Sequence, residues 1–262
     1  YVEGANANCD EPLCCRNNST LKKSKGVNLP AGKWGTYNCD SPKILVENML
    51  QNIATHHPDI DYIMWTGDLP PHDIWLQTKN DSLKVLVESV LQVKRVFPNA
   101  VILPALGNHE GIPAGNFPPP WNTDSKYSIA WLYNEVNKQW KDWLPASEEN
   151  SILHGGFYSV LIRPGFRVIS LNTNYCHIYS WWLVVNHTDP AKELDWLASQ
   201  LQQAEENNEK VHIIGHIPPG APDCLKTWSH NYYKIINRYE RTVKAQFFGH
   251  THADEFEVFY AH

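Results

Sequence analysis

No uninterrupted apolar run in these 262 residues approaches the ~20 residues needed to cross a bilayer. The longest candidates, such as Trp181–Val185, are far too short, so the sequence predicts at most peripheral membrane contact. Positive charge is also scarce. Twenty-two Lys and Arg stand against 28 Asp and Glu, a net charge of −6. Nucleic-acid binding favours clustered positive charge, so this balance argues against a nucleic-acid partner. There is no Cys-x-x-Cys knuckle, which removes a zinc ribbon. No internal repeat and no low-complexity segment is visible, which leaves solenoids and disordered tails without support. With 42% hydrophobic and 19% charged residues, the composition is that of an ordered globular domain with a sizeable core.

The six cysteines are Cys9, Cys14, Cys15, Cys39, Cys176 and Cys224. Four crowd into the first 39 residues. Without zinc knuckles they read as disulfides, which imply an oxidising compartment; six cysteines allow fifteen pairings. Glycosylation sequons at Asn17, Asn18, Asn80 and Asn186 point the same way. The sequence opens at Tyr1 with no signal peptide, as expected of a mature or trimmed secretory-pathway protein.

Residues 1–40 read as a stapled loop region. Helical spacing is seen over 42–56, 81–97, 125–143, 190–206 and 229–241, with Asp189 as a plausible N-cap and Pro190 at the first helical position. Strand-like runs occupy 61–66, 100–106, 156–162, 166–172, 211–214, 245–248 and 255–260. Four of these runs end alike, each delivering polar groups after a glycine: Asp68, Asn108 with His109, His216, and His250 with His252. In α/β sheets, functional groups collect beyond the carboxyl ends of strands. Asp, Asn and His are oxygen and imidazole ligands suited to divalent metals. The glycine before each is expected to let the backbone turn sharply. One such residue is ordinarily a satisfied loop polar group, but four strand ends together favour a metal centre.

The motifs GD (67–68), GNHE (107–110), GH (215–216) and GHTH (249–252) resemble the calcineurin-like metallophosphoesterase superfamily. Longer blocks are similar to the acid sphingomyelinases within it: GDLPPHDIW (67–75), FPPPW (117–121), NHTDP (186–190), VHIIGHIPPG (211–220), SHNYYKIINRYE (229–240) and QFFGHTHADEFEVFY (246–260). The resemblance covers essentially the whole sequence. It implies an α/β fold, a four-layer α/β/β/α sandwich around two central mixed sheets. It implies two Zn2+ ions bridged by Asp68, with Asn108, His216 and His250 completing one site and His252 binding the other ion. The family's Asp-x-His motif, which supplies two further ligands to that other ion, is not found before Gly67. Residues 1–262 therefore read as a catalytic domain cut at both ends, without the family's saposin-like and C-terminal helical parts. As it stands it is expected to hold one zinc firmly.

The implied reaction is hydrolysis of sphingomyelin to ceramide and phosphocholine by a metal-bridged hydroxide, with His72 or His109 as general acid. For His72 the alternative is a loop residue stabilised by Asp73. Glu110 is a supporting residue around the metal shell. His56, His57, His154 and His262 receive no role. The partner would be sphingomyelin in membrane or lipoprotein surfaces, met in the lysosome or after secretion. An aromatic cage for choline is possible with eleven Trp and twelve Tyr, but the sequence identifies none of its members. Phe117–Trp121 and Trp181–Val185 are candidate lipid contacts, with the buried core the favoured place for Trp181–Val185. The expected bridges are Cys9–Cys14 and Cys15–Cys39, which close short local loops, and Cys176–Cys224. Adjacent Cys14 and Cys15 take different partners because a vicinal bridge is strained. Two further readings stay open. One is a sphingomyelinase-like nucleotide phosphodiesterase, and the other a catalytically inactive, lipid-binding homologue.

Overall fold

The structure is a computed structural model that describes residues 1–9, 11–17, 19 and 29–258. Two compact units are distinguished: residues 1–61, 71–76 and 88–100 form one, and 62–70, 77–87 and 101–262 the other.

The first unit begins as a loop region held by Cys9–Cys14 and Cys15–Cys39. Its small core is made of Ala7, Cys9, Cys14, Cys15 and Ala31. Backbone bonds from Ala7 N–H to Leu29 O (2.8 Å) and from Ala31 N–H to Ala5 O (2.7 Å) replace a regular sheet. Helix α1 (Lys43–His56) follows. An Arg16–Asp73 ion pair lies within the same unit, and His72 Nδ1 stands 2.7 Å from Asp40 Oδ1.

The second unit carries two sheets. Strands β1 (Ile63–Trp65) and β2 (Ile102–Pro104) pair in parallel, and α2 (Lys79–Val96), whose residues 79–87 belong to this unit, lies between them in sequence. The four-stranded sheet has the order β3 (Tyr158–Arg163), β4 (Phe166–Ser170), β5 (Lys210–Ile214), β6 (Val243–Phe247). Its first pair is antiparallel and the other two are parallel, so this sheet is mixed while the first is purely parallel. The sheets meet where the Tyr158 and Ser170 hydroxyls both donate to the Pro104 carbonyl, at 2.7 and 3.1 Å. On the other face of the larger sheet, α5 (Glu193–Glu206) and α6 (Lys226–Arg238) bury Leu194, Leu197, Leu201, Trp228 and Tyr232 against Ile169, Val211 and Ile213. Central strands covered on both sides explain the short continuous apolar runs of the sequence. Helices α3 (Ala130–Trp140) and α4 (Glu149–Gly155) complete the unit.

Several expectations are corrected. The stretch 255–258 forms no strand, and the rest of that expected strand, together with the Asn18 sequon and His262, lies outside the described residues. Trp181–Val185 is not core: Trp181 is 82%, Val184 87% and Val185 71% exposed, and only Leu183 is buried. Conversely, Phe117 is fully buried, and of the FPPPW segment Trp121 is the exposed member. The reason is local. A 3-10 turn at Trp181–Val184 turns Leu183 inward, while Trp182 packs edge-on to Trp121 at 5.8 Å and donates to Asn116 Oδ1 at 3.0 Å. No helix among the described residues is long and apolar enough to cross a membrane.

Candidate metal centre

Strands β1, β2, β5 and β6 all end at one edge of the second unit. There the strand-end glycines serve mostly for close approach rather than for turning. Gly67 does need its left-handed φ of 90°. Gly107 does not, but a Cβ on it would stand 2.2 Å from the Asp68 amide nitrogen. The left-handed backbone falls instead on the polar residues themselves: Asp68 (φ 66°), His250 (73°) and His252 (56°). Non-glycine residues there cost about 1–3 kcal/mol each and cluster at functional sites.

Four ligand atoms converge at this edge. His216 Nε2 lies 3.0 Å from Asn108 Oδ1, 3.1 Å from Asp68 Oδ2 and 3.2 Å from His250 Nδ1. The tautomers follow from the outer contacts. His216 Nδ1 faces the Thr66 carbonyl at 2.7 Å, which makes it the N–H and leaves Nε2 as the donor of a lone pair. His250 Nε2 faces Asp223 Oδ2 at 2.5 Å, which likewise leaves its Nδ1 with the lone pair. Two imidazole lone pairs, an amide oxygen and a carboxylate then point at one another. Such a set is satisfied by a cation at its centre, and its chemistry fits a divalent metal. The burial of His216 disfavours its charge, yet the Asp68 carboxylate overrides this and raises its pKa. Burial also works against the Asp68 charge, but His216 and then His109 hold its pKa down at about 2.

The surroundings are polar and ordered. Asn108, His109 and Glu110 form a buried 3-10 turn, and the His109 amide donates to Asp68 Oδ1 at 3.0 Å. Glu110 Oε1 accepts the Asp68 and Leu69 amides at 3.0 and 3.3 Å, and burial beside Asp68 pushes its pKa up to about 7. Thr173 Oγ1 accepts the amides of His216 and Ile217, fixing the end of β5. Asn174 donates to the carbonyls of Leu106 and Gly107, fixing the end of β2.

The structure thus brings Asp68, Asn108, His216 and His250 together. His109 is adjacent through its backbone. His252 is exposed two residues beyond His250, and among the described residues the converging set does not include it. His72 belongs to the first unit, where its backbone N–H and Nδ1 both meet the Asp40 carboxylate. Asn17 and Asn80 are exposed, and Asn186 is half-buried with its Oδ1 accepting the Thr188 amide. Cys176 and Cys224 are bridged. Sequence reasoning missed Asp223 and His177, which with His250 make a second cluster of possible ligand atoms. Their one sequence signal is that each adjoins a cysteine of that bridge.

Residues 42–254 match the calcineurin-like phosphoesterase family. The chain is 48% identical to the sphingomyelin phosphodiesterase of Homo sapiens over 261 residues, 99% of this chain and 40% of that protein. It is 43% identical to sphingomyelin phosphodiesterase B of Dictyostelium discoideum, again over 99% of this chain and 40% of the relative. The chain therefore spans about two fifths of the length of these relatives. A dimetal phosphatase from Danio rerio superposes with a TM-score of 0.53 at 16% identity, covering 79% of this chain and 72% of that one, which speaks for the fold. Strand-end ligands, facing sheets and a match over most of the sequence lead to one assignment: the chain belongs to the calcineurin-like phosphoesterase family.

Proposed function

We propose that this domain is the catalytic part of a zinc-dependent phosphodiesterase that hydrolyses sphingomyelin to ceramide and phosphocholine. The observation that carries the reading is the convergence of His216 Nε2, His250 Nδ1, Asn108 Oδ1 and Asp68 Oδ2. The near-full-length similarity of this chain to sphingomyelin phosphodiesterases supports the substrate. In the proposed arrangement these four residues hold one ion, and Asp68 with His252 contributes to a second. Bound divalent ions neutralise phosphate charge and lower the pKa of water. Asp68 is held in place by the His109 amide, and its backbone by Glu110, so that the carboxylate keeps one orientation. In this reading His109, directly after the ligand Asn108, protonates the leaving alkoxide. His72 is the other candidate for the same task.

Contact with lipid is supported by Tyr179, Trp181, Val184 and Val185, all exposed on one segment. Trp181 and Val184 also line an apolar cleft of about 780 Å³, together with Ile178, Leu183, Pro222 and Leu225. Three disulfides and the sequons support a lysosomal or secreted location. The test is turnover of sphingomyelin beside that of a nucleoside triphosphate by the full-length protein, before and after chelation. Chelator-sensitive hydrolysis of sphingomyelin supports the proposal. Preference for the nucleotide, or no turnover of either, overturns it.

A further inference from the structure

Asp223 is placed as though its purpose were His250. Its Oδ2 lies 2.5 Å from His250 Nε2, on the side of the ring away from the converging ligands. The segment that carries it is pinned from several directions. The Cys176–Cys224 bridge joins the residue after Asp223 to the residue before His177. The Ile178 amide donates to the Asp223 carbonyl at 2.9 Å, and the Leu225 amide donates to the Cys176 carbonyl at 2.7 Å. The buried His177 ring closes the far side. Its Nε2 is 3.9 Å from Asp223 Oδ2, and its ring stands edge-on to those of His250 (6.0 Å) and Tyr179 (5.0 Å). The ring fits only because residue 115 is glycine: a Cβ there would approach His177 Nδ1 to 2.4 Å.

We propose that Asp223 is a positioning residue for the metal centre, its carboxylate accepting the Nε2–H of His250 so that His250 Nδ1 offers a lone pair to the ion, with the disulfide and His177 fixing the carboxylate. The inference rests on the metal reading above. An imidazole that donates to a carboxylate is locked in one tautomer and made a stronger ligand. His177, Asp223 and His250 do not make a separate ion site by this geometry. Ligand atoms sharing a tetrahedral zinc with bonds near 2.0 Å stand about 3.3 Å apart. The 2.5 Å contact is too close for two ligands of one ion and is that of a short hydrogen bond.

Zinc and cobalt binding to the metal-stripped full-length protein tests this without recourse to activity. Asp223→Ala should weaken zinc, measured by chelator competition, about 10- to 100-fold. It should also shift the visible absorption of the cobalt form. Asp223→Asn keeps an acceptor oxygen and should fall between. If Asp223→Ala does not fold, weaker zinc in Asp223→Asn still carries the proposal. Wild-type affinity and an unchanged cobalt spectrum in a folded Asp223 variant overturn it. Loss of one whole zinc equivalent with the remaining zinc bound as tightly as before overturns it too, because Asp223 would then be a ligand of its own site. A wild-type protein that binds neither ion overturns the metal reading and this inference with it.

Discussion

At the scale of single residues the site depends on backbone segments packed too closely to admit a Cβ. Gly107 is the sharpest case. An added Cβ would meet the Asp68 amide nitrogen at 2.2 Å and Asp68 Oδ1 at 2.3 Å, and backbone cannot swing aside as a flexible side chain can. Gly107→Ala should cost about 1–3 kcal/mol or more by overpacking, read from chemical denaturation, and should also lower metal affinity because Asp68 must move. Stability lost with metal affinity intact would mean that the position of Asp68 matters less than argued. Replacement of the ligands separates roles differently. Asp68→Ala and His250→Ala should lose the metal and nearly all hydrolysis. His109→Ala and His72→Ala should keep most metal and lose rate, on the order of 10²–10⁴-fold for a general acid. Full activity in either histidine variant removes that residue from the acid role. The strand-end pattern was legible because glycine and polar ligands follow apolar runs. Asp223 was not, because only the folded backbone brings its loop to His250.

At the scale of elements, the helix starts show where periodicity is a poor guide. Helical spacing points to a start at 190, yet α5 begins at Glu193. The Asp189 carboxylate caps it from outside, accepting the amides of Leu194 and Asp195 at 3.1 Å each. Helix α3 starts at Ala130 rather than 125 because Asp124 and Ser128 capture nearby amides into turns. Helix α4, with seven residues, is too short for its periodicity to stand out. The first residue of α5 yields a pH prediction. Glu193 is fully buried, its Oε1 accepts the Asn172 amide at 2.5 Å, and burial raises its pKa well above the usual carboxyl value. A raised folded-state pKa means that its stabilising contribution is complete below the unfolded value of ~4.3 and declines as pH rises through the folded one. Glu193→Gln, which keeps an acceptor for Asn172, should flatten the fall in stability as pH rises above the unfolded value of ~4.3. An unchanged pH profile in urea unfolding would contradict this. The Cys176–Cys224 bridge belongs at this scale too. It closes a separation of 48 residues, and on the chain-entropy view its loss should cost about 4 kcal/mol.

At the scale of the molecule, the sequence and structure agree on the class and differ on the surface. Two sheets carrying ligands at their carboxyl ends are what strand-end motifs imply, and the family match extends from residue 42 to 254. Hydrophobicity alone placed Trp181–Val185 inside, but an apolar run too short to span a core layer can equally lie on the surface in a 3-10 turn. If that face meets lipid, Trp181→Ser with Val184→Ser should weaken sedimentation with sphingomyelin vesicles. The same pair should leave hydrolysis of a water-soluble phosphodiester unchanged. Equal vesicle binding would move the contact elsewhere.

The proposed function requires the four strand ends to assemble a metal centre on which phosphodiester turnover depends. Its most direct test is metal content measured beside sphingomyelin turnover in the full-length protein, for the wild type, the chelated wild type and Asp68→Ala. Zinc and turnover should occur together in the first, both should be lost on chelation and recovered on adding zinc, and neither should be found in Asp68→Ala. Turnover that survives complete removal of metal, or that persists in Asp68→Ala, would contradict it.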